Sequence, residues 1–271
     1  MNKLATSRLV PQAVGRRAAV IMLTAATILF AAPCARAQGD DAPKILKAMS
    51  DYVASQKTIS ATFDSDIEVI TSDLQKIQFA SSGKFLISRP DKLRASRTGG
   101  YADVELIYDG KTLTAYDKYH KSFVQMDAPG SVDQLVDRMR NEFGVEAPGA
   151  DLLLSGVYDV LNKDVIDAKH IGRGVIDGVE CEHLAFRGAE TDWQLWVAVG
   201  SQPIPHKYVI TSKTVTGAPQ YTLRITDWKS DAQVAADAFA FKQPADAKKV
   251  ESGALSQFDE VPPGSMTGGN Q

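Results

Sequence analysis

From Ile59 onward the chain alternates apolar and polar residues with a period of two. Phe63, Ile67 and Val69 fall on one side and Asp64, Asp66 and Glu68 on the other. Such alternation predicts a strand with one face against a core and one in water. Ile77, Phe79, Phe85 and Ile87 continue it, with Lys84 and Ser88 pointing away. Arg89-Pro90-Asp91 predicts a turn, because proline has no N–H to give to a ladder. Leu93 to Arg97 resumes as strand, and Val104–Tyr108, Asp109-Gly110 and Thr112–Tyr116 read as a hairpin. Strands return at Val165–Arg173, turn at Asp177-Gly178 and continue as Glu182–Arg187, Trp193–Val199, His206–Lys213 and Gln220–Trp228.

The period lengthens in three places. Asp41–Lys57 places Ile45, Leu46, Met49, Tyr52 and Val53 at helical spacing, with Pro43 suited to a first turn. Ser131 is a cap for a helix whose stripe is Val132, Leu135, Val136 and Met139, broken by Pro148-Gly149. Asp151–Leu161 is a shorter, mostly apolar helical piece. The expected class is α+β, an antiparallel sheet whose apolar face is covered by these helices. No internal repeat or linker divides residues 38–250, and residues 251–271, rich in Gly, Ser and Pro, read as a flexible tail.

The N-terminus changes the picture. Lys3, Arg8, Arg16 and Arg17 precede an apolar run, Ala18 to Ala32, followed by Ala35-Arg36-Ala37. A basic head, a short apolar core and a small-x-small site predict a signal peptide over residues 1–37, cleaved before Gln38, and hence a periplasmic protein. The run is shorter than the roughly 20 apolar residues a membrane span needs, so no stable insertion is expected. Arg16-Arg17 leaves twin-arginine export open, although Ala18-Ala19 replaces that motif's hydrophobic follow-on; Pro33 before Cys34 breaks a lipobox. The chain holds 30 Lys plus Arg and 33 Asp plus Glu, and residues 1–37 take five of the former and none of the latter. The exported part therefore has a formal charge of −8. That sign disfavours nucleic acid and anionic membrane surfaces as partners. Cys181 is the one cysteine left, so no internal disulfide forms.

Three stretches carry a resemblance: Gly83 to Arg94, with its Arg89-Pro90-Asp91; Asp109-Gly110-Lys111-Thr112-Leu113-Thr114-Ala115-Tyr116; and Phe239-Ala240-Phe241-Lys242-Gln243-Pro244. In this order the sequence resembles the periplasmic lipoprotein-localisation carrier superfamily. His183 to Arg187, Asp192 to Val197, Pro205 to Thr211, Gly217 to Tyr221 and Asp227-Trp228 resemble, within it, an uncharacterised family of predicted periplasmic proteins. The resemblance implies a curved, incomplete antiparallel barrel, a half-barrel, with helices forming a lid over an apolar cavity. It also implies that Arg89 sits at the cavity mouth and latches the lid by hydrogen bonds. The acidic first strand and the Trp-rich second half depart from the carriers, which puts lipoprotein sorting in doubt.

The apolar face of Phe63, Ile67, Phe79, Phe85, Ile87, Leu106 and Tyr108 is the candidate cavity lining; its alternative is an ordinary close-packed core. Arg89 has a plain alternative too, as a surface residue beside a turn. Trp193 and Trp196 lie on opposite faces of one strand, so at most one faces a cavity. Cys181 and His183 share a strand face but lack the further ligands that zinc needs, so no metal and no cofactor are expected. The chain has no Gly-x-Ser-x-Gly elbow, phosphate loop or His-Glu-x-x-His helix. The reading is a monomeric, non-enzymatic periplasmic carrier for a lipid or acyl chain. The second reading is a protein-interaction or envelope-sensor module on the same fold.

Overall fold

A computed structural model describes residues 41–145, 147–251 and 261. The signal segment, Cys34 and all of the 251–271 tail except Glu251 and Val261 lie outside the described residues; Val261 is buried.

Helix α1 (Ala42–Ser55) leads into strands β1 (Thr58–Ile70), β2 (Lys76–Ser88), β3 (Lys92–Gly99), β4 (Asp103–Tyr108), β5 (Thr112–Asp117) and β6 (Ser122–Asp127). Then come α2 (Val132–Phe143), a 3-10 turn (Ala150–Leu153) and α3 (Val157–Asn162), so the piece expected over 151–161 is divided in two. Strands β7 (Val165–Ile176), β8 (Val179–Gly188), β9 (Thr191–Ala198), β10 (Pro205–Ser212) and β11 (Gln220–Ser230) follow, and β12 (Lys248–Lys249) ends the order. All twelve strands form one sheet in the order β12-β6-β5-β4-β3-β2-β1-β11-β10-β9-β8-β7. Every pairing is antiparallel except β12 with β6. The architecture is a large curved, unclosed antiparallel sheet with few helices, the open half-barrel expected.

Curvature follows from simple lengths. Val145 packs on Ala115 of β5 and Val124 of β6, while Gly149 meets Leu223 of β11. Five inter-strand steps separate β5 from β11, about 24 Å if flat. Four residues reach at most about 14 Å and side-chain contacts at both ends make up the rest, a span bridged most directly on a sheet curled toward this segment. Gly83, midway along β2, lies where the curl is tight. A Cβ there would fall 2.2 Å from the Ser96 carbonyl oxygen and 2.3 Å from the Phe63 ring.

The concave face carries the core. Leu46, Met49 and Val53 of α1, with Leu152, Val157 and Leu161, pack on Ile59, Ile87, Leu184, Leu195 and Tyr208. The predicted stripe of α2 covers Tyr108 and Leu113. Its capping box is complete, Ser131 Oγ accepting from Gln134 N and the Gln134 side chain accepting from Ser131 N, and Gly144 ends the helix in the left-handed conformation.

The convex face holds a feature absent from the expected elements. The C-terminal segment crosses it: Phe241 packs against Phe123 (5.0 Å) and Tyr116 (5.8 Å), and the chain then pairs with β6. One edge of the sheet is thereby covered from within the chain.

Candidate ligand-binding face

Strand register sorts the candidate residues. Across β1 and β2, Ile59 faces Ile87, Ala61 faces Phe85, Phe63 faces Gly83, Ser65 faces Ser81 and Ile67 faces Phe79. β3 and β4 extend these rows through the Leu93–Tyr108 and Ala95–Leu106 pairs. All seven candidate lining residues therefore share the concave face. They divide by depth: Phe85, Ile87 and Tyr108 are buried in contact with helices, whereas Phe63, Ile67, Phe79 and Leu106 are half-buried. Tyr108 Oη donates to the carbonyls of Ala128 (2.8 Å) and Gly130 (2.6 Å), a shared bond that ties β4 to the loop entering α2.

The Arg89-Pro90-Asp91 turn joins the cover to the sheet. Arg89 Nε donates to the carbonyl of Gln56 at the end of α1 (3.2 Å), and Nη2 to that of Leu153 in the 3-10 turn (2.7 Å). Its backbone N–H donates to Lys57 O (2.8 Å), and Pro90 O accepts from Val132 N at the start of α2 (2.9 Å). Three separate pieces of the cover thus meet at one turn. Both side-chain bonds go to carbonyls at or near helix ends, which lack partners in their own helices. Burial lowers the guanidinium's pKa from its ordinary value, opposed by the nearby Asp133 carboxylate. Asp133 also accepts from Ser155 N (3.2 Å), and Arg140 pairs with Asp151 (2.9 Å), so α2 is tied to the 3-10 turn and the start of α3.

The two tryptophans separate as their strand positions require. Trp193 is buried on the concave side, stacked on Phe186 (3.9 Å). Trp196 stacks on His183 across the convex face (4.0 Å, 12°), with Lys207 Nζ 4.9 Å from its ring. Burial lowers the His183 pKa, against a raising hydrogen bond to the Gln194 amide oxygen. Cys181 is buried and its thiol pKa is pushed up by desolvation, which favours the unreactive thiol. Among the described residues no three His, Cys, Asp or Glu side chains converge as metal ligands do.

One half-buried polar group carries no signal in the sequence. His170 Nε2 lies 2.7 Å from Glu182 Oε2, and Arg173 Nε donates to Glu182 Oε1 (3.2 Å). A plain hairpin about Asp177-Gly178 would set His170 opposite Ala185, facing away from Glu182. A bulge at Ile171 sets it opposite Leu184 instead, on Glu182's face. Only the turn is visible in the sequence. Two hollows of about 280 Å³ each lie on the convex side beneath the C-terminal segment, lined in part by Arg94, Glu105, Tyr116 and Phe241 in one and Thr114, Gln125 and Phe239 in the other. In the first, Arg94 is held by Glu105 (2.9 Å) and the Ala238 carbonyl (2.9 Å).

Among solved structures, an uncharacterised conserved protein from Thermus thermophilus is 12% identical over 78% of this chain and 99% of its own, with a TM-score of 0.47. LprF from Mycobacterium bovis is 10% identical over 75% and 100%, with a TM-score of 0.45. A LolA superfamily protein from Nitrosomonas europaea is 14% identical over 74% and 97%, with a TM-score of 0.33. No curated protein matches the chain. The sequence family described as "Predicted periplasmic protein (DUF2092)" matches residues 42–252.

Proposed function

The chain belongs to the DUF2092 family of predicted periplasmic proteins, and from that premise we propose that it binds an apolar ligand on its concave face and performs no catalysis. Residues 1–37 direct export and are removed before Gln38. No helix among the described residues is long and apolar enough to cross a membrane.

The observation that carries the reading is how that face is covered. An apolar surface spanning the sheet is closed by short helices whose polar ties converge on the Arg89 turn. A cover hung from few bonds can be displaced without unravelling the twelve-stranded ladder beneath it. An acyl chain taken up there gains about 0.8 kcal/mol per buried methylene, enough to compete with the helices' own apolar contacts. Such binding tolerates different chain lengths and asks for no cofactor. We take a lipid or acyl chain carried by a monomer as the occupant.

Organic extraction and mass spectrometry of protein purified from the periplasm tests this. The expected result is co-purified lipid and an intact mass beginning at Gln38. An empty preparation that also fails to take up a fluorescent fatty acid overturns the binding reading. Capture of one stoichiometric protein partner by that empty protein would favour an interaction module.

A further inference from the structure

We infer that the end of the sheet formed by the β1–β2, β3–β4, β5–β6 and β10–β11 turns is a rim that docks on a neutral, zwitterionic phospholipid bilayer. The inference rests on the apolar-ligand reading and adds to it the place where such a ligand enters.

Antiparallel pairing sends alternate turns to opposite ends of the sheet. The Arg89-Pro90-Asp91, Asp109-Gly110 and Asp177-Gly178 turns lie at the end where α1 and α2 join the strands, and they are polar. At the other end the character reverses. The β5–β6 turn presents Tyr119, 73% exposed, the β3–β4 turn Tyr101, 57%, and the β1–β2 turn Leu74, 68%; Val215 is exposed on the β10–β11 turn. Of the turns at this end only β8–β9, Ala189-Glu190, carries no such side chain. Leu74 lies at φ +66°, a left-handed conformation that glycine or asparagine takes more readily. An apolar side chain thus holds the tip against the preference of the turn. This tip also stands forward, because residues 76–80 of β2 continue past Gly99, the last residue of β3 paired with it.

The concave face opens at the same end. Ile67 and Phe79 are half-buried there, and Tyr101 meets the edge of the Phe79 ring at 5.5 Å. A hydrocarbon chain leaving that face toward the rim passes between the apolar tips. Exposed apolar groups collected in this way mark a surface meant for contact, and charge selects the partner. Lys76, Lys118, Lys121 and Lys213, in or beside these turns, pair with Glu68 (2.9 Å), Asp103 (3.4 Å), Asp246 (2.6 Å) and Asp192 (3.2 Å). Lysines already matched offer little to an anionic leaflet, which recruits basic groups in excess. Tyrosine suits the headgroup level of a bilayer, its ring in the apolar part and its hydroxyl in water. The tips are spread across the sheet from β6 to β10 rather than packed into one patch. A fluid bilayer accepts separate side chains, whereas a protein partner needs a continuous buried core.

A site-specific label tests the rim. Full mature protein carrying Leu74→Cys, or Val199→Cys on the β9–β10 turn at the opposite end, is labelled with the fluorophore NBD, Cys181 being buried, and mixed with phosphatidylcholine vesicles. The label at position 74 is expected to brighten severalfold and the label at 199 to stay unchanged. In flotation with the same vesicles, Leu74→Ser is expected to melt as wild type and to bind about tenfold more weakly, the weight of one leucine's burial. Tyr101→Ser is expected to act in the same direction, and serves should Leu74→Ser fail to fold. Equal brightening at both positions, vesicle binding unaffected by the substitutions, or binding only to vesicles that contain phosphatidylglycerol overturns the rim. So does a position-74 label that brightens without vesicles as the protein dimerises, which assigns the surface to a second copy. Uptake of a fluorescent fatty acid from solution by protein that ignores every vesicle overturns the rim and leaves the apolar-ligand reading standing. Vesicle docking by protein that holds no lipid and takes up no fatty acid overturns the apolar-ligand reading and leaves the rim.

Discussion

The two ends of the β1–β2 pair carry the same alternation and end in different environments. At one end Ile59 and Ile87 face each other and are fully buried; at the other Ile67 and Phe79 face each other and stay half-buried, with Ile77 beyond them 37% exposed. The difference lies in what is above them. The first end sits under α1, the 3-10 turn and α3, while the second runs out to the rim. A strand pattern therefore fixes which face is apolar, and the order in which helices return over the sheet decides which part of that face becomes core.

Truncation at the two ends puts this contrast to its severest test. Leu46→Ala, beneath which Ile59 and Ile87 pack, should cost about 2–5 kcal/mol, and Phe79→Ala about 1 kcal/mol, since a half-buried ring leaves little cavity. Urea unfolding of both variants gives the ratio; equal losses would mean the rim is packed as tightly as the core. Next in size is Gly83→Val, at the boundary between the two ends. Its side chain would meet the Ser96 carbonyl and the Phe63 ring, and overpacking of this kind costs about 3 kcal/mol. An unchanged melting temperature would show that the sheet does not need its curl at this point.

Arg89→Leu probes the same contrast from the side of the cover. Loss of the donors to Gln56 and Leu153 should lower stability by about 1.5–2 kcal/mol and speed ligand exchange. Arg89→Lys should recover only part, because a point ammonium does not reproduce a fork aimed at two carbonyls. Stopped-flow exchange of a fluorescent fatty acid reads the rate. Wild-type exchange and wild-type melting in Arg89→Leu would make Arg89 a turn-flanking residue and nothing more.

Much of this is legible along the chain. The hairpin at Asp109-Gly110 and the capped helix after Ser131 stand where their turn and cap residues place them, and every candidate lining residue shares one face because strands alternate strictly. β6 escapes a reading of the sequence for a physical reason. Its Phe123 and Val124 are both buried, one under the C-terminal segment and the other on the concave side, so no alternation marks the strand. β12 consists of two lysines, and only a neighbouring edge makes a strand of them. The half-buried Phe63, Ile67 and Phe79 look no different in sequence from the buried Phe85 and Ile87.

Periods, turns and caps depend on residues a few positions apart, so the chain alone already dictates them, and with them the apolar face of the sheet. The depth of burial, the convergence of three cover pieces on Arg89, and the meeting of His170 and Glu182 arise only once the chain is folded. Each joins residues ten or more positions apart. Their meeting depends on the curl of the sheet, a bulge at Ile171 and the path of the cover, none of which leaves a local pattern.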